Sequence, residues 1–78
     1  MTLFSLQSLD GTGHITADQS IEVRDVYAAL ARANVHLHEL AYATGGLAAE
    51  LPTRIDIADQ DGRTVARLLR SEAMLAMA

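Results

Sequence analysis

The sequence has no cysteine, no lysine and no tryptophan, and it has one proline in 78 residues. Without cysteine the chain can form neither a disulfide nor a thiolate metal site, and without lysine it has no amine base. No apolar run approaches the roughly 18 residues of a membrane span, and Met1 to Leu9 lacks the basic residue of a secretory signal. These absences predict a cytoplasmic protein.

Positive charge is scarce and unevenly placed. All six basic residues are arginine, and the formal net charge is −4. The first fifty residues hold six of the ten acidic residues but only two of the arginines, so the net negative charge lies there. Nucleic-acid binding requires neutralisation of phosphates, so direct binding and a DNA-reading regulator are disfavoured. An acidic surface instead suits a basic protein partner.

The chain is long enough for one domain, residues 1–78, with a small core. Half of its residues are hydrophobic, but fourteen of these are alanine. A domain of this size buries only about 60% of the surface that its unfolded chain exposes. A thin core favours a homodimer or a permanent protein partner.

The longest periodic stretch runs from Ser20 to Thr44 and predicts one helix. Asp18 or Ser20 would cap its start, and Gly45-Gly46 would end it. The residues that recur with the spacing of a buried helical face are Val23, Val26, Tyr27, Leu30, Ala33, Leu37, Leu40 and Ala41.

A second row on this helix, Ala28, Ala31, Val35 and Tyr42, lies about 120° from the first. Its small and amphipathic residues predict a contact surface for a partner or for a second copy of the chain. An alternative interpretation breaks the helix at Asn34 and makes residues 35–40 a strand, because apolar and polar residues alternate there.

Two strands are predicted before the helix. Thr2 to Leu9 alternates, with Phe4 and Leu6 on one face. Asp10-Gly11-Thr12-Gly13 then reverses the chain, and His14 to Ala17 returns as a short second strand.

Two further strands are predicted after the helix. Arg54 to Ala58 would place its isoleucines inward and its charged residues outward. Asp59 to Gly62 forms a turn, and Arg63 to Leu69 returns as the fourth strand, whose buried face stays open. One helical turn is expected within 47–51, and a helical tail at 71–77. This order predicts an α+β fold: a small antiparallel sheet (ββαββ) with one long helix on one face and a short C-terminal helical tail.

Matching motifs run through nearly the whole chain: Asp10-Gly11, Asp18, Ile21-Glu22-Val23, Asp25, Ala28-Ala29, Ala33, Ile55-Asp56-Ile57 and Asp59 through Val65. In these motifs the sequence resembles a family of small uncharacterised bacterial proteins that share a domain of unknown function. The resemblance implies the same α+β fold and implies no catalytic residue. The sequence departs from the family in lacking a glycine after Asp18 and in its arginine-rich last strand.

The stretch from Ser8 to Ile15 has the oxygen-ligand and glycine spacing of a calcium-binding loop. Its twelfth position is Gln19, where such a loop needs a bidentate carboxylate, and Asp10 is its one acidic ligand. Asp59 and Asp61 give a less complete second match. We therefore predict two hairpin turns and no calcium site.

The histidines do not predict a metal site. On a helix His36 and His38 point about 200° apart, so they could share an ion only if their stretch were a strand. His36 and Glu39 form a surface pair, and His14 lies in or beside a turn. No Ser-His-acid set or glycine-rich phosphate loop is present in the sequence, so we expect neither an enzyme nor a cofactor.

These observations predict a non-enzymatic acidic protein–protein interaction module, a small inhibitor or an adaptor. A specific version is a phage-type anti-CRISPR inhibitor that covers a basic nucleic-acid-binding surface. The alternative from another class is a metal- or ligand-binding regulatory domain centred on Asp10 or on His36 and His38. The residues predicted to contact a partner are Asp10, Asp18, Glu22, Asp25, Ala28, Ala31, Val35 and Tyr42.

Overall fold

The computed structural model describes residues 1–45 and 51–72. Strands β1 (Thr2–Leu9) and β2 (Ile15–Val23) precede helix α1 (Val26–Ala43), which is followed by β3 (Arg54–Ala58) and β4 (Thr64–Leu69). The strands form one antiparallel sheet in the order β2-β1-β3-β4, with α1 packed on one face. Residues 70–72 are helical. The predicted α+β class and the ββαββ order are confirmed.

The boundary between β2 and α1 differs from the prediction. Residues 20–23 pair with β1 instead of opening the helix, and β2 has nine residues where four were predicted. Ile21 and Val23 alternate with Glu22, so these residues fit a strand as well as a helical face. Pairing with β1 decides between the two, because it buries both apolar side chains on one side of the sheet.

The helix therefore starts later than predicted, after Asp25. The Asp25 Oδ1 atom accepts a hydrogen bond of 2.9 Å from the Ala28 backbone N–H, as an N-cap residue does. Asp18 and Ser20, the two predicted caps, lie in β2 instead. An extended backbone at Asp25 separates the last strand residue from the first helical turn.

The helix ends where it was predicted to end. It runs unbroken through Asn34, so the alternative strand at 35–40 is wrong. The Thr44 backbone N–H donates to the Leu40 carbonyl at 3.0 Å, and Gly45 follows with a φ of 68°, which glycine adopts without strain. Gly46, residues 47–50 of the turn predicted at 47–51 and residues 73–77 of the tail predicted at 71–77 lie outside the described residues.

The buried face of α1 is a row of three alanines and one leucine. Ala29, Ala33, Leu37 and Ala41 are spaced four apart and are buried, with Val26, Leu30 and Leu40 half-buried beside them. Tyr27, predicted in the core, is 78% exposed. The predicted stripe included Ala33 and Ala41 but not Ala29, which is fully buried in the structure and belongs to the inner face that excludes Tyr27.

The sheet supplies the other half of the core. Its buried side chains come from alternate positions of three strands: Phe4, Leu6, Ile21, Val23, Ile55 and Ile57. On β4, Ala66 pairs with Ile57 and Leu68 pairs with Ile55, so these two residues also face the helix. Val65 and Leu69 are exposed on the helix-free face. The register of β3 and β4 thus determines which face of β4 is buried, a question that the sequence pattern left open.

The charged residues of β3 are predicted to face outward, but the structure buries the side chain of Asp56. It alternates with the buried isoleucines and faces the helix-free side, but it is only 6% exposed. Its Oδ1 atom lies 2.8 Å from Arg67 Nε, a hydrogen-bonded ion pair, and 3.3 Å from Arg54 Nε. The Arg54 contact does not meet hydrogen-bond geometry, so its buried Nε–H has no hydrogen-bond acceptor among the described residues.

Candidate partner-binding surface

Asp10 organises the turn between β1 and β2. Its Oδ1 atom accepts hydrogen bonds from the Thr12 backbone N–H (2.9 Å), the Thr12 hydroxyl (2.6 Å) and the His14 backbone N–H (3.0 Å). Hydrogen bonds to the carboxylate lower the pKa of Asp10 below its ordinary value of 3.8. The bond from the Thr12 hydroxyl has the largest effect, and the bond from the His14 backbone N–H has the next largest. The predicted hairpin turn is confirmed, and the Asp10 charge stabilises it.

Asp18 and Glu22 have a different environment. Both are exposed on the helix-free side of β2, and their cross-strand neighbours on β1 are the uncharged residues Gln7 and Leu3. Within residues 1–45 and 51–72, neither carboxylate forms an ion pair or a hydrogen bond. Their negative charges are therefore not compensated by the described part of the chain.

Besides Asp10, two more of the predicted contact residues have structural roles, Asp25 and Ala28. Asp25 caps α1 through Oδ1, and its Oδ2 atom lies 3.8 Å from Nε of the exposed Arg24. Ala28 is half-buried and packs against the core. These positions are poor candidates for direct contact, because a partner would have to displace interactions that stabilise the helix start.

The outer face of α1 brings the other helical residues together. Ala31 is exposed, Val35 is 52% exposed and Tyr42 is 92% exposed. Tyr27 lies four residues before Ala31 and joins them, so the four side chains lie within about 80° of one another around the helix. Sequence reasoning assigned Tyr27 to the core, although its spacing to Ala31 and Val35 could have placed it in this row. We call these four residues the outer stripe.

A groove connects the outer stripe to β2. Gln19 and Ile21 of β2 face Arg32, Val35 and Glu39 of α1 across a groove of about 290 Å³. Val35 also lines a shallow hollow that reaches Tyr42. The helix-facing side of β2 and Val35 of the outer stripe thus line the same groove, whereas Asp18 and Glu22 lie on the opposite face of that strand.

The histidines separate in space. His36 lies in the groove beside β2, whereas His38 lines the hollow near Tyr42. The Nδ1 atom of His14 is 2.8 Å from the Thr12 hydroxyl oxygen. Among the residues that the structure describes, no group of three or more histidine or acidic residues is placed to hold a metal ion. The described helix is also not long and apolar enough to cross a membrane.

Comparison with models of known protein families, with curated proteins and with solved structures gave no match. The resemblance to the small bacterial proteins therefore stays a prediction from motifs. The surface has to be interpreted from its own residues.

Proposed function

We propose that this chain is a non-enzymatic acidic protein-interaction module, an inhibitor or adaptor that acts in the cytoplasm by binding a basic surface of a partner protein. The observation that carries this proposal is the exposure of Tyr27 and Tyr42, which are two of the three aromatic residues in the chain. The third, Phe4, is buried in the core.

Exposure of both tyrosines is costly for a small domain. A fully buried aromatic side chain contributes about 1.5–3 kcal/mol relative to an exposed one, so these two would strengthen a thin core if they faced it. Tyrosine suits an interface better than most residues, because its ring supplies apolar area and its hydroxyl tolerates a wet rim. Val35 adds apolar surface between the two rings.

Charge specifies the chemistry of the partner. Asp18 and Glu22 lie on the helix-free face of the strand that borders the groove beside Val35, and no described residue forms an ion pair with either. A basic surface would complement them and would approach faster through long-range attraction. A nucleic-acid-binding surface has this character, which is why the anti-CRISPR type of inhibitor is the most specific version of the proposal.

The test uses three matched double variants of the full chain. Tyr27→Ser with Tyr42→Ser removes the aromatic contacts, and Asp18→Asn with Glu22→Gln removes the acidic ones. Asp61→Asn with Glu72→Gln makes the same change of charge at two exposed positions elsewhere. Proteins retained by the wild-type chain are purified, and binding is remeasured by surface plasmon resonance.

We expect the tyrosine variant to weaken binding at least about thirtyfold, as loss of two interface anchors does. The Asp18/Glu22 variant should slow association about tenfold and remove most of the salt dependence between about 50 and 500 mM. The Asp61/Glu72 control should stay within about twofold of wild type. The proposal would be contradicted if the affinity for the partner did not change with salt concentration or in either test variant.

A second copy of the chain is the competing occupant of the outer stripe. The Ala31→Arg substitution lies outside the core and should change the free energy of unfolding by no more than about 0.5 kcal/mol. In a dimer formed through this stripe, it would force a charged side chain into the contact. Light scattering at several concentrations would then show the dimer's mass falling to that of one chain. If the wild-type chain is a monomer, a second copy does not cover the outer stripe, and a different protein stays the proposed partner.

A further inference from the structure

Strand β2 has an outer edge on which no strand lies within the described part of the chain. It is nine residues long, without proline, glycine or lysine, and all of residues 15–20 are exposed. Proteins usually protect such an edge with lysine, proline, a bulge or a covering segment. The register with β1 shifts at Thr16, an extra residue of β2 between the pairs Ser8–Ala17 and Leu9–Ile15, so this bulge interrupts only the start of the edge and residues 17–23 form a regular template.

The side chains of this edge disfavour pairing with a second copy. Residues directly opposite each other in an antiparallel pair lie on the same face, and like charges there are destabilising. Pairing of two chains centred on Ser20 would place Asp18 opposite Glu22, and pairing centred on Asp18 would place the two Asp18 carboxylates together. Pairing centred on Gln19 would place Asp18 of each chain diagonally next to Asp18 and Glu22 of the other chain, on the same face of the sheet.

We infer that β2 accepts an extended basic segment of the partner as a fifth, antiparallel strand. Two basic side chains spaced four residues apart lie opposite Asp18 and Glu22, with a small side chain between them opposite Ser20. This inference rests on the proposed function and names how the module recognises a basic partner. The recognition combines backbone hydrogen bonds with paired charges on alternate positions.

The groove supports this arrangement on the other face. Side chains of the added strand that alternate with the basic ones lie beside Gln19 and Ile21, at the border of the groove lined by Val35. Apolar residues at those positions would extend the buried surface toward the outer stripe. The preferred segment therefore alternates basic or small residues with apolar ones.

The probe is an acetylated, fluorescein-labelled peptide of nine residues, Thr-Val-Arg-Val-Thr-Val-Arg-Val-Thr. Its arginines, at the third and seventh positions, lie on one face of a strand. The control peptide exchanges the sixth and seventh residues, which keeps composition and net charge but places the arginines on opposite faces. By fluorescence anisotropy with the full chain, we expect at least about tenfold tighter binding of the first peptide.

Backbone methylation separates strand addition from simple charge attraction. Alternate N–H groups of an added strand donate to β2, and the others point away. Two versions of the first peptide carry N-methyl groups at two even or at two odd positions other than the arginines. One version should lose binding at least about tenfold, and the other should keep it within about threefold.

The protein variants complete the test. Asp18→Asn with Glu22→Gln should abolish the preference for the first peptide, whereas the Asp61→Asn, Glu72→Gln control should retain it. Equal binding of the two peptides, equal effects of the two methylation patterns, or no binding of the first peptide at 1 mM would overturn strand addition. If strand addition fails while a reconstituted partner still depends on Tyr27, Tyr42 and salt, the proposed function stands. If that dependence is also absent, both fail.

Discussion

The β1–β2 and β3–β4 hairpins close with the same arrangement of hydrogen bonds. Asp59 Oδ1 accepts from the backbone N–H groups of Asp61 (2.9 Å) and Arg63 (3.0 Å), as Asp10 Oδ1 accepts from residues 12 and 14 in the first hairpin. The glycines that follow, Gly13 and Gly62, have φ values of 87° and 82°. The two turns are therefore local structures specified by an aspartate and by a glycine three residues later.

The strands that these turns connect differ in how their charges are used. One cross-strand row on the helix-free face runs from Asp18 through Gln7 to Asp56 and Arg67. Asp56 is buried against two arginines, while Asp18 is exposed on the edge without an ion pair among the described residues. The same residue type is thus paired in one hairpin and, within the described residues, unpaired in the other, because the register places Arg67 beside Asp56 and an uncharged residue beside Asp18.

The largest expected effect is on stability at the paired aspartate. Asp56→Ala leaves Arg54 and Arg67 without their shared partner. Breaking a fully buried pair costs about 3–5 kcal/mol, and because the Arg67 side chain is 52% exposed we expect about 2 kcal/mol here. For a chain of this size, that corresponds to a fall of about 8–16 °C in Tm, measurable by circular dichroism.

Asp18→Ala is the control in the same row. We expect a change of no more than about 0.5 kcal/mol in the free energy of unfolding, because Asp18 is exposed and forms no ion pair with a described residue. Equal losses of unfolding free energy in Asp56→Ala and Asp18→Ala would show that the ion pairs of Asp56 do not stabilise its hairpin.

The equivalence of the two turns can be tested at their glycines. A Cβ added at Gly13 or Gly62 meets no atom within 4 Å, so the cost of Gly→Ala comes from the backbone alone. A positive φ costs an alanine about 1–2 kcal/mol, and we expect the same loss at both positions in urea unfolding. Losses that differ by more than about 1 kcal/mol would contradict a common turn.

The smallest effect concerns Asp10 and pH. Hydrogen bonds to its carboxylate lower its pKa in the folded state, so the resulting stabilisation is fully present above about pH 4 and disappears as pH falls through the folded pKa. The difference in urea midpoint between wild type and Asp10→Ala should therefore be constant from pH 7 to pH 5 and shrink below pH 4. Asp61→Ala controls for net charge. A difference that grows toward acid pH would contradict this role.

Elements with strong local signals could be predicted from the sequence. Strands β1 and β3, both turns and the helix end near Gly45 match the prediction, because alternation, Asp-Gly turns and positive-φ glycines act over a few residues. For the candidate surface, the sequence placed Ala31, Val35 and Tyr42 on one face of the helix, and the structure exposes all three.

The errors fall where two local patterns fit the same residues. Residues 20–23 satisfy both a strand and a helix, and pairing with β1 decides for the strand. Tyr27 satisfies either the core face or the outer stripe, and close packing of Ala29 and Ala33 on the sheet decides for the stripe. Neither decision is available without the tertiary contacts.

The sequence by itself determined the ββαββ order, the two turns and the acidic character of the first half, since each depends on residue type and short-range spacing. Only the tertiary structure decided which charges are compensated. Asp56 is paired because the register of β3 and β4 brings Arg67 opposite it, while β2 lies at the edge and pairs with one strand, β1, in the part of the chain that the structure describes. Register and strand order are properties of the whole sheet, and they separate the aspartate that stabilises the fold from the one we propose contacts a partner.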